Sequence, residues 1–137
     1  HNGEERRSRA IAKKISHSLP IYNVQELVNV IKSCTPPNKR NRTIARVFQA
    51  FRIALNNELE KLKEFLSNYI NYLEKGGRIV IISFHSLEDR LVKRNFKTFS
   101  ENGLMKILTK KPITASIEEV NDNSRSKSAK LRCAEKT

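Results

Sequence analysis

The chain has 137 residues, room for one domain with its own core. A hydrophobic share of 38% with 30% charged residues points to a soluble globular protein, and no apolar run approaches the roughly 20 residues that span a bilayer. Lys and Arg number 27 against 14 acids, a net charge of +13, which excludes a neutral enzyme surface and favours a polyanionic partner, RNA or DNA ahead of an acidic membrane.

Residues 4–17 carry Ala10, Ile11 and Ile15 among good helix formers, so a basic amphipathic helix is expected, stopped by Pro20. Asn23 with Glu26 three positions later predicts a capped helix start, with Leu27, Val30, Ile31 and Cys34 as its apolar face. Pro36-Pro37 ends that helix and opens a basic linker. Between Glu26 and Glu58 there is no acid, while Lys32, Lys39, Arg40, Arg42, Arg46 and Arg52 are all basic. Cys34 and Cys133 share no metal-like spacing and read as free thiols of a reducing cytosol. The chain lacks an initiator Met and reads as a piece of something longer or a processed product.

From Thr43 to Lys75, Phe48, Phe51, Leu55, Leu59, Leu62, Leu66, Tyr69 and Leu73 recur at steps of three and four. This predicts one long helix, bent or broken near Asn56-Asn57 and stopped by Gly76-Gly77. Residues 78–84 read as a buried strand that releases His85, Ser86, Glu88 and Asp89 at its end. Ser86 is expected to cap the next helix, whose core face is Leu87, Leu91, Val92, Phe96 and Phe99. Asn102-Gly103 turns the chain. Strands are expected over 104–109 and 128–135, with a polar stretch between them and a short helical turn at 117–120. A strand–helix–strand order predicts parallel strands joined by a right-handed crossover, in an α/β sheet covered by helices. Ligands of such sheets bind beyond the carboxyl ends of the strands, where the sequence "SFHSLED" falls.

The loop has plainer readings. His85 and Ser86 are adjacent and lack the nucleophile-elbow pattern. Acids enrich the first turn of any helix, which accounts for Glu88 and Asp89. No Gly-rich phosphate loop is present in the sequence.

Four blocks in order, "GEERRSRAIAKKI", "RVFQAFRIALNNELEKL", "GGRIVIISFHSLEDRLVKR" and "RSKSAKLRCAEK", resemble the RsmH (MraW) family. Those are bacterial S-adenosylmethionine-dependent methyltransferases that act on cytosine N4 in 16S rRNA. The resemblance implies an α/β fold: the closing part of a class I Rossmann-like methyltransferase sheet over 42–137, with the end of an inserted helical domain over 1–41. It implies a cytoplasmic protein whose partners are 16S rRNA and the missing N-terminal half of the enzyme, or a second copy. The family's Gly-rich cofactor motif is absent from this chain, so the S-adenosylmethionine site falls mostly outside it, and little cofactor binding or activity is expected of the chain alone.

By the same resemblance, Ser83, Phe84, His85 and Ser86 lie beside the target-base pocket as catalytic candidates, with Glu88 and Asp89 organising the loop. Arg46, Arg52, Lys127, Lys130 and Arg132 are the candidates for rRNA phosphates. The sequence departs from the family where "RTIAR" replaces His-Pro-Ala-Thr-Arg, and where Asn123-Ser124-Arg125 replaces Asn-Pro-Arg. A non-enzymatic basic RNA-binding module is the alternative from another class.

Overall fold

The computed structural model describes residues 4–137, and the chain divides into two compact units, 1–58 and 59–137. The boundary expected at residue 41 came from the resemblance to the family. By packing, the helix that runs across residue 41 goes with the two before it.

The first unit is helical. Its helices are α1 (Ser8–His17), α2 (Val24–Ser33) and α3 (Arg40–Asn56). The Asn23 side-chain oxygen accepts the Glu26 N–H at 2.9 Å, and the Glu26 carboxylate reaches back to the Tyr22 N–H at 2.9 Å. The first bond satisfies an amide that the opening turn of α2 leaves open, and the second ties down the chain just before the cap. Ile11, Ile31 and Val47, one from each helix, form the core, with Ile15, Leu27, Ile44 and Phe48 packed around them.

The long helix expected over 43–75 is interrupted. Asn57 takes a left-handed conformation, φ 51°, which Asn tolerates better than most residues. Beyond it come α4 (Glu58–Asn68) and a 3-10 turn (Tyr69–Tyr72), so helical structure ends before Gly76-Gly77. The apolar stripe also differs from the expected one. Phe51 and Leu55 are exposed, and α3 buries Thr43, Val47 and Ile53 instead. The expected stripe holds at Phe48, Leu62, Leu66, Tyr69 and Leu73, which all pack in a core, and fails at Phe51 and Leu55, where α3 turns Val47 and Ile44 toward Ile11 and Ile31 instead.

The second unit is a three-stranded sheet packed on helix α5. Its strands are β1 (Arg78–Ser83), β2 (Met105–Ile107) and β3 (Lys130–Lys136), in spatial order β1-β3-β2. Both pairings are antiparallel, with Ile79 and Ile107 each opposite Ala134. The connection from β1 to β2 runs through α5 (Ser86–Glu101). The two strands therefore point the same way, as expected of a strand–helix–strand unit, but they are not neighbours. The crossover spans two strand spacings, roughly 10 Å, and β3 fills the gap from the opposite direction.

Ile79, Met105 and Ala134 of the sheet bury against Val92 and Phe96 of α5 and against Leu66 and Tyr69. Helix α5 ends in paired backbone bonds: the Gly103 N–H donates to Ser100 O and the Leu104 N–H to Phe99 O. Gly103 supplies the left-handed residue, φ 70°, that this ending needs. Lys136 reaches from β3 to donate to the carbonyls of Ile70 and Leu73, at 2.9 and 2.7 Å. Those carbonyls close a helical segment and attract a cation. A short helix, α6 (Ile117–Asp122), lies in the polar stretch before β3.

Among the described residues, strand β1 has one partner, β3. Its inward face, Ile79 and Ser83, is buried, while Val80 and Ile82 on the other face are 56% and 54% exposed. An apolar strand with a bare edge and a bare face is the arrangement that folded proteins avoid leaving open. Among the described residues, no helix is long and apolar enough to cross a membrane.

Candidate functional site

The site grows from the end of β1. Strand alternation buries Ser83, at 2% exposure, on the face packed against α5. Phe84 points the opposite way and is 55% exposed. The chain then turns directly into α5, and the residue at the turn is His85.

His85, rather than Ser86, caps α5. Its Nδ1 accepts the Glu88 N–H at 3.3 Å. Ser86 is the first residue of the helix proper. The Glu88 carboxylate turns back and accepts the N–H groups of Phe84 and His85, at 2.9 and 3.2 Å. Two side chains thus hold three backbone amides around the strand–helix turn. The cap also sets the His85 tautomer. With Nδ1 accepting, the neutral ring carries its proton on Nε2. That Nε2 is buried and has no hydrogen-bond partner; the Glu88 Oε1 lies 3.5 Å away. A buried donor without an acceptor is uncommon in a folded protein.

Asp89, one residue further into α5, faces β3. Its Oδ1 accepts from Arg132 Nε at 2.6 Å and its Oδ2 from Arg132 Nη2 at 3.4 Å, with Lys130 Nζ 3.7 Å from Oδ2. Burial by itself would raise the Asp89 pKa. The hydrogen bonds and positive charge of Arg132, aided by Lys130, outweigh it and hold the carboxyl below its ordinary value.

S-adenosylmethionine needs a cavity with convergent polar groups, and the larger cavities of this unit lie elsewhere. One of about 390 Å³ is lined by Phe65, Tyr69, Tyr72 and Leu73 with Arg78–Val80, at the other end of β1. Phe84 stands in the open, 55% exposed.

The MraW methylase family matches residues 1–137, the whole chain. Over 138 residues the chain is 54% identical to the ribosomal RNA small subunit methyltransferase H of Endomicrobium trichonymphae, covering 98% of this chain and 47% of the relative. The protein of the same name from Acaryochloris marina is 51% identical over 140 residues, covering 99% of this chain and 46% of the relative. This chain belongs to the MraW methylase family. It spans about half the length of the curated relatives it matches.

The phosphate candidates of this MraW family chain fall into two groups. Lys127 is exposed, and Lys130 is half-buried near Asp89. Arg132 is 6% exposed and its guanidinium is spent on Asp89, so its geometry is that of an internal strut and not of a phosphate contact. In the first unit Arg46 pairs with Glu5 at 3.5 Å, and Arg52 forks onto Glu58 at 2.8 and 3.1 Å.

Sequence reading missed His85 as the cap and Arg132 as the partner of Asp89. The first had a signal, the three-residue spacing from His85 to Glu88, hidden because Ser86 is the commoner capping type. The second had none, since Asp89 and Arg132 are brought together only by the placement of β3.

Proposed function

We propose that this chain is the C-terminal part of an enzyme that transfers a methyl group from S-adenosylmethionine to N4 of a cytidine in 16S rRNA, in the cytosol. The observation that carries the reading is identity above 50% along the whole chain to proteins named as small-subunit rRNA methyltransferases. In this reading the second unit is the closing part of a class I Rossmann-like core. The first holds the end of the inserted helical domain together with α3. The N-terminal half of the enzyme adds its strands at the bare edge of β1 and supplies the cofactor site.

An exocyclic amine is a poor nucleophile, because its lone pair is delocalised into the ring. The protein must hold it in line for attack and must take the base out of its stack. The turn at the end of β1 suits that task. Glu88 and His85 fix the backbone of residues 84 and 85, and Phe84 offers an exposed ring on which a splayed base can stack. Ser83 is buried behind it and acts through position alone. The His85 ring combines a capping acceptor with an unused Nε2–H donor.

The test is methyl transfer from labelled S-adenosylmethionine to small-subunit rRNA, with this chain alone and mixed with the N-terminal half of a close relative. Activity confined to the mixture supports the reading. Silence in both, with the two pieces shown to associate, favours the plain RNA-binding module.

A further inference from the structure

The largest described cavity of the first unit, about 420 Å³, is ringed by positive charge. Arg6, Arg7, Lys39, Arg42 and Arg46 line it, and its one acid is Glu5. That acid is already committed. The Glu5 carboxylate accepts from Thr43 Oγ1 at 3.2 Å, Arg46 Nη1 at 3.5 Å and the Arg7 N–H at 3.1 Å. Burial alone would raise its pKa, and these bonds together hold it below the ordinary value, so it stays ionised and spent on Arg46. Arg6, Arg7, Lys39 and Arg42 are exposed and make no ion pair among the described residues.

This placement works against stability. Four like charges converge on one cavity whose one lining acid, Glu5, is already engaged by Arg46, although the chain has 14 acids to draw on. Lys39 and Arg42 stand at the amino end of α3, and Arg7 at the amino end of α1. Cations are disfavoured there by the helix dipole, and neither first turn holds an acid. An anion in the cavity turns each of these costs into a gain.

The geometry points to a phosphate-binding pocket in the first unit, formed by Arg6, Arg7, Lys39 and Arg42, whose occupant is a backbone phosphodiester of the RNA substrate. The inference rests on the rRNA reading above and adds a site distant in sequence from the "SFHSLED" loop. Arginine forks suit phosphate oxygens, and such contacts position a nucleic acid without reading its bases. Arg46, held by Glu5, shapes the wall of the pocket.

The experiment uses the full chain. A fluorescent single-stranded RNA of small-subunit rRNA sequence is titrated at several salt concentrations. The variants are Lys39→Ala with Arg42→Ala, and as control Arg94→Ala with Lys97→Ala on exposed α5 positions. Backbone amide shifts of residues 6–8 and 39–43 are followed with inorganic phosphate and with the RNA. The expected result is a dissociation constant raised about tenfold for the pocket variant at low salt. The salt slope should fall by about 0.7 for each phosphate that the variant no longer neutralises, and both anions should move the pocket amides of the parent chain. Affinity and slope equal to the control, with RNA still bound, would overturn the pocket and leave the rRNA reading standing. Pocket shifts with inorganic phosphate but none with RNA would overturn the phosphodiester as occupant and count against the rRNA reading too.

Discussion

Arg132 Nε donates to Asp89 Oδ1 across 2.6 Å, tying the middle strand of the sheet to the first turn of α5. Both side chains are largely buried, at 7% and 13% exposure. Removing one partner leaves the other charge desolvated and alone. Asp89→Asn is therefore expected to lower stability by about 2–4 kcal/mol. Replacing both, as Asp89→Asn with Arg132→Met, should restore part of that loss. Urea unfolding of the single and double variants measures it. A double variant less stable than Asp89→Asn would mean that Arg132 has a further buried partner.

The same pair sets an acid limit. The folded pKa of Asp89 is depressed, and so is that of Glu5 in the first unit. In each case the unfolded chain binds a proton more readily than the folded one. The stabilisation is thus complete above the unfolded carboxylate value, about 4, and is lost as pH falls through the folded value. Stability plotted against pH should bend downward in the acid range, and Asp89→Asn should flatten that bend. A variant curve parallel to the parent's would remove Asp89 as its cause.

Glu88 holds two backbone amides, so its loss should be felt at the turn. Glu88→Ala is expected to cost about 1 kcal/mol, and Glu88→Gln less, because an amide oxygen still accepts. In an intact relative the Ala variant at this position should slow methyl transfer more than its stability loss explains, by displacing Phe84. Thermal unfolding and turnover measured on the same samples separate the two effects. Equal turnover for Ala and Gln would disconnect the cap from the site.

What was legible in the sequence were the elements whose signals are local. The Asn23–Glu26 cap, the break at Asn56-Asn57, the strand at 78–84 and the turn at Gly103 all follow from residue type and spacing. What was not legible depends on contacts made from afar. The position of β3 between β1 and β2 is decided by the span of the α5 crossover, and no residue in β3 declares it. With β3 there, Arg132 faces inward to Asp89, and a residue that read as a phosphate contact becomes part of the frame. The α3 face was misread in part for a related reason. Phe48 packs as expected, but Phe51 and Leu55 are exposed while the smaller Val47 meets Ile11 and Ile31.

The exposed face of β1 gives the last prediction. Val80 and Ile82 are more than half exposed, on a strand whose outer edge has no partner among the described residues. The proposed N-terminal half would pair with that edge and bury that face. Each is already about half buried, so covering the rest contributes about 1 kcal/mol per side chain. Val80→Lys with Ile82→Lys should then weaken association with the N-terminal half of a close relative by more than about tenfold. The inward residues Ile79 and Ser83 are untouched, so circular dichroism and the unfolding midpoint of the chain alone should hold. Sedimentation of the mixed halves reads the outcome. Unchanged association of the double variant would move the junction away from β1, and with it the placement of Phe84 beside a site shared by the two halves.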